Sequence, residues 1–217
     1  NTIGEDLSDE VGQGAARKLQ IEDRLDADLS AALSERAEAA GATLANLVHA
    51  AWGTVIARWS GRAEAVFGVT RSGRFIAPGS ERLVGCLINT LPLRMPADET
   101  VVADGLLAKL RADALAMRPH EHAALTDIRR WADLPGNLPL FSSMVMFERS
   151  SLTETLRQVD PAWKKRRIDL REEGALPLTL AVYGDREILV VLEHDPQVVP
   201  PDLARAILGH FQELLAS

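Results

Sequence analysis

The residues of this chain that could do chemistry are five histidines, a single cysteine and a polar pair inside an apolar run. An imidazole can act as a general base or bind a metal. Two of the histidines flank a glutamate in the sequence HEH, but no third histidine, cysteine or carboxylate stands at ligand spacing from them. The sequence therefore predicts no metal site and leaves the HEH pair as secondary candidates. The histidines are His49, His120, His122, His194 and His210.

The motifs of the common nucleophilic and nucleotide-binding enzymes are missing from the sequence. There is no Gly-x-Ser-x-Gly elbow, no phosphate-binding loop with a lysine, and no glycine fingerprint opening a helix. Cys86 has apolar neighbours and no adjacent base, which predicts an inert core thiol. The residues thus supply no complete catalytic machinery.

A polar pair stands out in residues 84–95, VGCLINTLPLRM. Asn89 and Thr90 interrupt a run that otherwise predicts a buried strand, and Arg94 follows them. The preceding segment 66–74, VFGVTRSGR, carries two more arginines. Buried amide and hydroxyl groups are costly unless they find hydrogen-bond partners, so this stretch is the first candidate for a site.

Composition limits the classes of protein. The chain has 217 residues, 47% of them hydrophobic and 25% charged, which is typical of a globular domain with a substantial core. A formal net charge of −7 argues against nucleic-acid binding. One cysteine excludes a disulfide framework and a zinc cluster, and favours a reduced, cytoplasmic setting. We expect no membrane span and no signal peptide.

Periodicity predicts one α/β layer domain with the order helix-helix-strand-strand-helix-strand-strand-strand-helix. The second helix should run from a Thr43 cap to Gly61, with Trp52 and Trp59 in the core. The segment RKLQIEDRL could add a strand before the helices. Residues 149–164 read as irregular, and the strands after them are RRIDLRE, LPLTLAVYGD and EILVVLEHD.

Several ordered motifs resemble the C-terminal lobe of a condensation domain from a nonribosomal peptide synthetase. The most specific is Val/Ile-Gly-x-x-x-Asn-Thr-x-x-x-Arg. Ser-Gly-Arg at 72–74 and His-x-His-x-x-Leu at 120–125 stand at the expected intervals. The resemblance covers essentially all of residues 15–217. The first motif is met by Val84, Gly85, Asn89, Thr90 and Arg94.

The resemblance implies a fold similar to chloramphenicol acetyltransferase: two α/β lobes in a V with a tunnel between them. Each lobe is a two-layer sandwich of a mixed sheet and its flanking helices. The catalytic motif of such domains, His-His-x-x-x-Asp-Gly, lies on the N-terminal lobe and is missing from this sequence. We therefore expect a lead-in at 1–15, a C-terminal lobe at 16–217, no catalytic residue in this chain, and no condensation activity from the chain alone.

The resemblance also implies partners. These are the N-terminal lobe of the same domain, donor and acceptor peptidyl carrier proteins, and an adjacent adenylation domain. Phosphopantetheine would be presented by the carrier proteins, so this chain would bind no cofactor directly. Neither nucleic acid nor membrane is expected as a partner.

Individual roles follow from the motif positions. Asn89 and Thr90 are expected to line the tunnel, or alternatively to satisfy neighbouring backbone groups. The residues assigned to a floor loop between the lobes and to structural support are Ser72, Gly73, Arg74, Gly85 and Arg94. Residues from Phe141 to about Trp163 match the segment that crosses to the other lobe.

Two other functions fit the same fold. One is a non-catalytic interaction module that docks a carrier protein or another enzyme. The other is an acyltransferase of the same superfamily that uses a free acceptor. An intact or missing paired-histidine motif upstream would discriminate the first from the condensation function, and flanking adenylation and carrier domains would discriminate the second.

Overall fold

The structure, a computed structural model, describes residues 18–74, 78–97, 103–135, 138–159, 174–184 and 186–217. Its six strands form one mixed sheet in the order β1-β6-β5-β4-β2-β3. The strands are β1 (Leu19–Arg24), β2 (Glu64–Arg71), β3 (Asn89–Pro96), β4 (Ser143–Glu148), β5 (Leu178–Tyr183) and β6 (Leu189–His194). The helices are α1 (Ala27–Ala39), α2 (Leu44–Ser60), α3 (Ala103–Met117), α4 (Leu125–Trp131), α5 (Leu152–Val159) and α6 (Pro201–Ala216).

The sheet combines parallel and antiparallel pairs. β4 is parallel to both β2 and β5, whereas β3, β6 and β1 pair antiparallel to their neighbours. The carboxyl ends of β2, β4 and β5 therefore share one edge of the sheet with the start of β3. Ligands commonly bind at such an edge in open α/β sheets.

Helix α2 lies at the centre of the helical layer and contacts α1, α3, α6 and the sheet. Its capping box is complete, because the Thr43 side chain accepts from the Asn46 N–H and the Asn46 side chain accepts from the Thr43 N–H. Trp52 and Ile56 on this helix are almost fully buried in a core that also contains the sheet residues Phe67 and Met95. The two-layer α/β architecture is thus as the sequence predicts.

The edge strand β3 carries two prolines, Pro92 and Pro96. Proline has no N–H for a strand ladder and is tolerated on an edge, where the missing donor can face solvent. The two prolines also make this edge a poor template for pairing with another strand.

Two predictions about local structure differ from what the structure shows. Residues 84–88 are irregular, so β3 begins at Asn89 rather than at 84. The stretch 149–164 contains helix α5 and is not uniformly irregular. Within the segment Phe141–Trp163, the structure places β4 inside the sheet, followed by α5, and residues 160–163 lie outside the described residues. RRIDLRE and the lead-in 1–15 lie outside the described residues.

Candidate functional site

Asn89 opens β3 opposite Arg71, the last residue of β2. Its Nδ2 donates to the carbonyls of Glu121 at 2.9 Å and Ala123 at 2.8 Å. Its Oδ1 accepts the Thr90 N–H at 2.9 Å. Both amide donors are therefore used to hold the loop 121–123, and only acceptor capacity on Oδ1 remains for a ligand. These are contacts to neighbouring backbone, one of the two roles considered for Asn89.

Arg71 forms a covered ion pair with Glu121 at the same edge of the sheet. Nε and Nη2 of Arg71 donate to Oε1 of Glu121 at 2.8 and 2.5 Å. Glu121 is 7% exposed. Breaking such a pair leaves a poorly solvated charge, which is strongly destabilising. We call Arg71, Asn89 and Glu121 the strand-end cluster.

His49 on α2 lies next to the strand-end cluster. Its ring centroid is 6.2 Å from that of Phe67. Burial, and secondarily the positive charge of Arg71, lower the pKa of His49 from 6.5 to about 4. The imidazole is therefore neutral near pH 7.

Thr90 and Thr70 are paired across β2 and β3. The Thr70 hydroxyl is buried and has no hydrogen-bond partner among the described residues. A Cβ on Gly68 would lie 2.8 Å from Cγ2 of Thr90 and 2.6 Å from the Phe141 ring. Gly68 thus leaves the space that Thr90 and Phe141 occupy on this face of the sheet.

The Ser-Gly-Arg motif connects β2 to the segment before β3. Gly73 has φ +63°, and a Cβ there would lie 2.2 Å from the Leu87 carbonyl oxygen. Arg74 donates through Nη1 to the Leu83 carbonyl at 2.6 Å and through Nη2 to the Gly85 carbonyl at 3.1 Å. These contacts tie the two segments together. Ser72 is exposed.

Residues 83–88, here called the apolar segment, lie at the surface. Val84 is fully exposed at 104%, and Leu83 and Ile88 are more than half exposed. Gly85 has φ +150°, a backbone conformation that favours glycine. Cys86 is exposed, so the prediction of a core thiol was wrong. A local apolar run predicts burial, but here nothing within the described residues covers the run.

The remaining candidates are dispersed. Arg94 forms an exposed ion pair with Glu64, and the Arg94 hydrogen bonds lower the pKa of Glu64. His120 and His122 are both exposed, and His120 lines an open groove along β3. No group of three metal-ligating side chains occurs in the described parts of the chain.

Trp59 is 38% exposed, contrary to the core position predicted for it. Its ring stacks on His210 of α6 with centroids 5.6 Å apart. Trp52 is fully buried, as predicted. The two tryptophans are seven residues apart on α2, and Trp52 packs edge-on against Phe211 of α6 with ring centroids 6.1 Å apart.

Sequence reasoning missed Arg71, Glu121 and His49 as a group. Glu121 lies between the two histidines that attracted attention, and Arg71 directly precedes the Ser-Gly-Arg motif. The sequence does contain a signal for this pair, because Arg71 at the end of a strand and Glu121 in a turn carry opposite charges. The separation of 50 residues hid their contact.

Among the described residues, none of the helices is both long enough and apolar enough to span a bilayer.

Known proteins are similar to this chain in sequence and in fold. Chondramide synthase from Chondromyces crocatus is 34% identical over 190 residues, which is 87% of this chain but 5% of that protein. The four-domain nonribosomal peptide synthetase AB3403 superposes with a TM-score of 0.80 at 19% identity, over 92% of this chain and 16% of that one. The condensation domain of the monacolin K polyketide synthase MokA gives 0.74 at 18% identity, over 99% of this chain and 50% of that one. The condensation-domain family matches residues 5–215, and the chain belongs to that family.

Proposed function

We propose that this chain is the C-terminal lobe of a condensation domain, which joins carrier-protein-bound aminoacyl or peptidyl thioesters through a new amide bond. The proposal rests on how much of each chain the superposition covers. The chain superposes over nearly its whole length on a solved condensation domain and fills half of it. The sequence also contains no His-His-x-x-x-Asp-Gly motif in its 217 residues.

The reaction needs an amine nitrogen to attack a thioester carbonyl. A C–N bond forms, the C–S bond breaks, and the amine proton leaves with the thiol product. A histidine on the N-terminal lobe would position or deprotonate the amine. This chain would contribute half the tunnel and a docking surface for a carrier protein that presents phosphopantetheine. An adenylation domain would load that carrier.

The position of the strand-end cluster and Thr90 within this lobe supports their proposed role in lining the tunnel. They gather at the edge where the parallel strands β2, β4 and β5 end. The apolar segment supports contact with a second lobe, because its large side chains have no cover among the described residues. Arg74 and Gly73 would hold that segment as a floor between the lobes.

The test is a condensation assay with loaded carrier proteins. It compares this chain alone, the natural upstream polypeptide alone, and the two joined as in the parent protein. We expect product only from the joined form. Product from this chain alone would overturn the half-domain proposal. No product from the joined form, with correctly loaded carriers, would favour a docking module over an enzyme.

A further inference from the structure

We propose that residues 118–135, here called the strap, open from the sheet as one unit and are held closed by the strand-end cluster. The strap consists of a short 3-10 helix (Arg118–His120), the turn that follows it, and helix α4 with its carboxyl-terminal turn. The inference concerns a motion of the fold and goes beyond the condensation function proposed above. In the open state the amide donors of Asn89 are free for a ligand.

The first observation is that the strap buries very little apolar surface. Within residues 118–135, all of which the structure describes, Glu121 alone is buried. Leu125 and Ile128 of α4 are half-buried, but they belong neither to the core nor to the side chains packed against it. Trp131 is 67% exposed. Apolar burial normally fixes an element to its domain, and the strap has little of it.

The second observation is that the attachment of the strap to the sheet is polar and concentrated in one turn. Asn89 donates to the carbonyls of Glu121 and Ala123, and Arg71 donates to the Glu121 carboxylate. The net contribution of a hydrogen bond is small, because the same groups bind water when the bond opens. Opening the strap should therefore cost less free energy than unfolding the core.

The third observation is that α4 cannot remain folded once the turn is released. The helix has seven residues, and no side chain caps its amino end at Ala124. Isolated helices shorter than about 12–15 residues are marginal in water even with favourable sequences. Release of the turn at 121–123 therefore also melts α4, so that the backbone N–H groups of the strap become exposed together.

The experiment is hydrogen–deuterium exchange with peptide-level mass spectrometry on the parent protein that contains this chain. Glu121→Gln replaces the buried carboxylate by a neutral amide, and Asn89→Ala removes both amide donors. Glu64→Gln weakens the exposed Arg94–Glu64 pair on the same two strands and is the matched control. Exchange is followed in peptides from the strap and from helix α2, which lies in the core.

A core variant, Ile56→Val, supplies the reciprocal arm of the experiment. Ile56 is 1% exposed on α2, and the loss of a buried methylene weakens the core. This variant should accelerate exchange in α2, whose amides are exposed when the core unfolds. It should leave exchange in the strap unchanged, because the core is intact in both the closed and the open state.

We expect each cluster variant to accelerate exchange across the whole strap by a common factor of about ten, and Glu64→Gln to change it by less than about twofold. Unchanged strap exchange in both cluster variants would overturn the inference. An acceleration confined to residues 121–123 would also overturn it, because only the turn would then loosen. If Ile56→Val accelerates the strap as much as α2, the strap opens only when the whole lobe unfolds, and the inference is wrong.

Discussion

Gly73 shows how one backbone position controls the approach of two segments. Its φ of +63° lies in the left-handed region, and a Cβ would meet the Leu87 carbonyl oxygen at 2.2 Å. We expect Gly73→Ala to lower the free energy of unfolding by about 2–4 kcal/mol, because neither backbone can move aside cheaply. Chemical denaturation of the purified chain measures this loss.

Gly61 provides the control for that substitution. It has φ +64°, and no atom lies within 4 Å of the position that a Cβ would take. Gly61→Ala should therefore cost only the left-handed strain, about 1 kcal/mol. Equal losses for the two variants would show that the contact with Leu87 is not what requires glycine at 73.

His49 makes the stability depend on pH. Its pKa is lowered to about 4 in the folded chain, against 6.5 when unfolded. Between these values the unfolded chain binds the proton and the folded chain does not, so stability is lost as the pH falls from 6.5 toward 4. Because one pKa unit corresponds to about 1.36 kcal/mol, the loss from this group is on the order of 2 kcal/mol.

Denaturant unfolding at about pH 7 and about pH 4.5, on either side of the ordinary histidine pKa, measures this loss in the parent chain and in His49→Gln. Arg71, whose charge acts on the imidazole, and its partner Glu121 are present in both proteins, so the difference between the two pH profiles isolates His49. If the parent chain and His49→Gln lose the same free energy of unfolding between the two pH values, the lowered pKa of His49 is contradicted. Arg71→Gln should raise the pKa of His49, which an NMR titration of the imidazole detects.

At the scale of elements, helix α2 depends on its capping box. Thr43→Ala removes the acceptor for the Asn46 N–H and should lower the free energy of unfolding by about 1 kcal/mol. Thr54→Ala on the same helix is the control. Its hydroxyl only bonds back to the Ala50 carbonyl, so we expect a change within about 0.5 kcal/mol. A larger loss from Thr54→Ala would mean that the cap is not the limiting contact.

Elements with strong local signals could be predicted from the sequence. The α2 boundaries follow from Thr43 and Gly61, and α6 follows from Pro201 at its first turn. The start of β3 could not be predicted, because Val84 to Ile88 have the composition of a strand but lie outside the sheet. Arg74 binds carbonyls 9 and 11 residues away. Periodicity carries no information about such contacts.

The strand-end cluster was beyond sequence reasoning for a related reason. Asn89 and Arg71 are neighbours only because β2 and β3 pair in one register, and Glu121 joins them through a loop that follows α3. The sequence identified Asn89 as unusual because it is polar in an apolar run. Which atoms it binds depends on tertiary structure.

At the scale of the whole molecule, the described residues form a well-covered core and leave a cluster of apolar side chains exposed outside it. The core lies between the sheet and helices α1, α2, α3 and α6. The apolar segment lies outside it, with Val84 fully exposed and Ile88 61% exposed. Exposed apolar groups that contribute nothing to the fold are available for an interface.

The exposure of the apolar segment leads to a prediction for the proposed condensation domain when its two lobes are produced as separate chains. The double variant Val84→Asn/Ile88→Asn should bind a separately produced N-terminal lobe at least about tenfold more weakly, because two apolar contacts are lost from the interface. The free energy of unfolding of the chain itself should change by less than about 0.5 kcal/mol, since both side chains already face solvent. Calorimetric titration of one lobe into the other measures the affinity.

Leu115→Asn is the matched control for the split domain, because Leu115 is 49% exposed on α3 and lies outside the apolar segment. It should leave the affinity between lobes unchanged. If it weakens binding as much as the double variant does, general surface hydrophobicity and not the apolar segment drives association. If neither variant changes the affinity, the interface lies elsewhere, and the exposure of Val84 and Ile88 requires another partner.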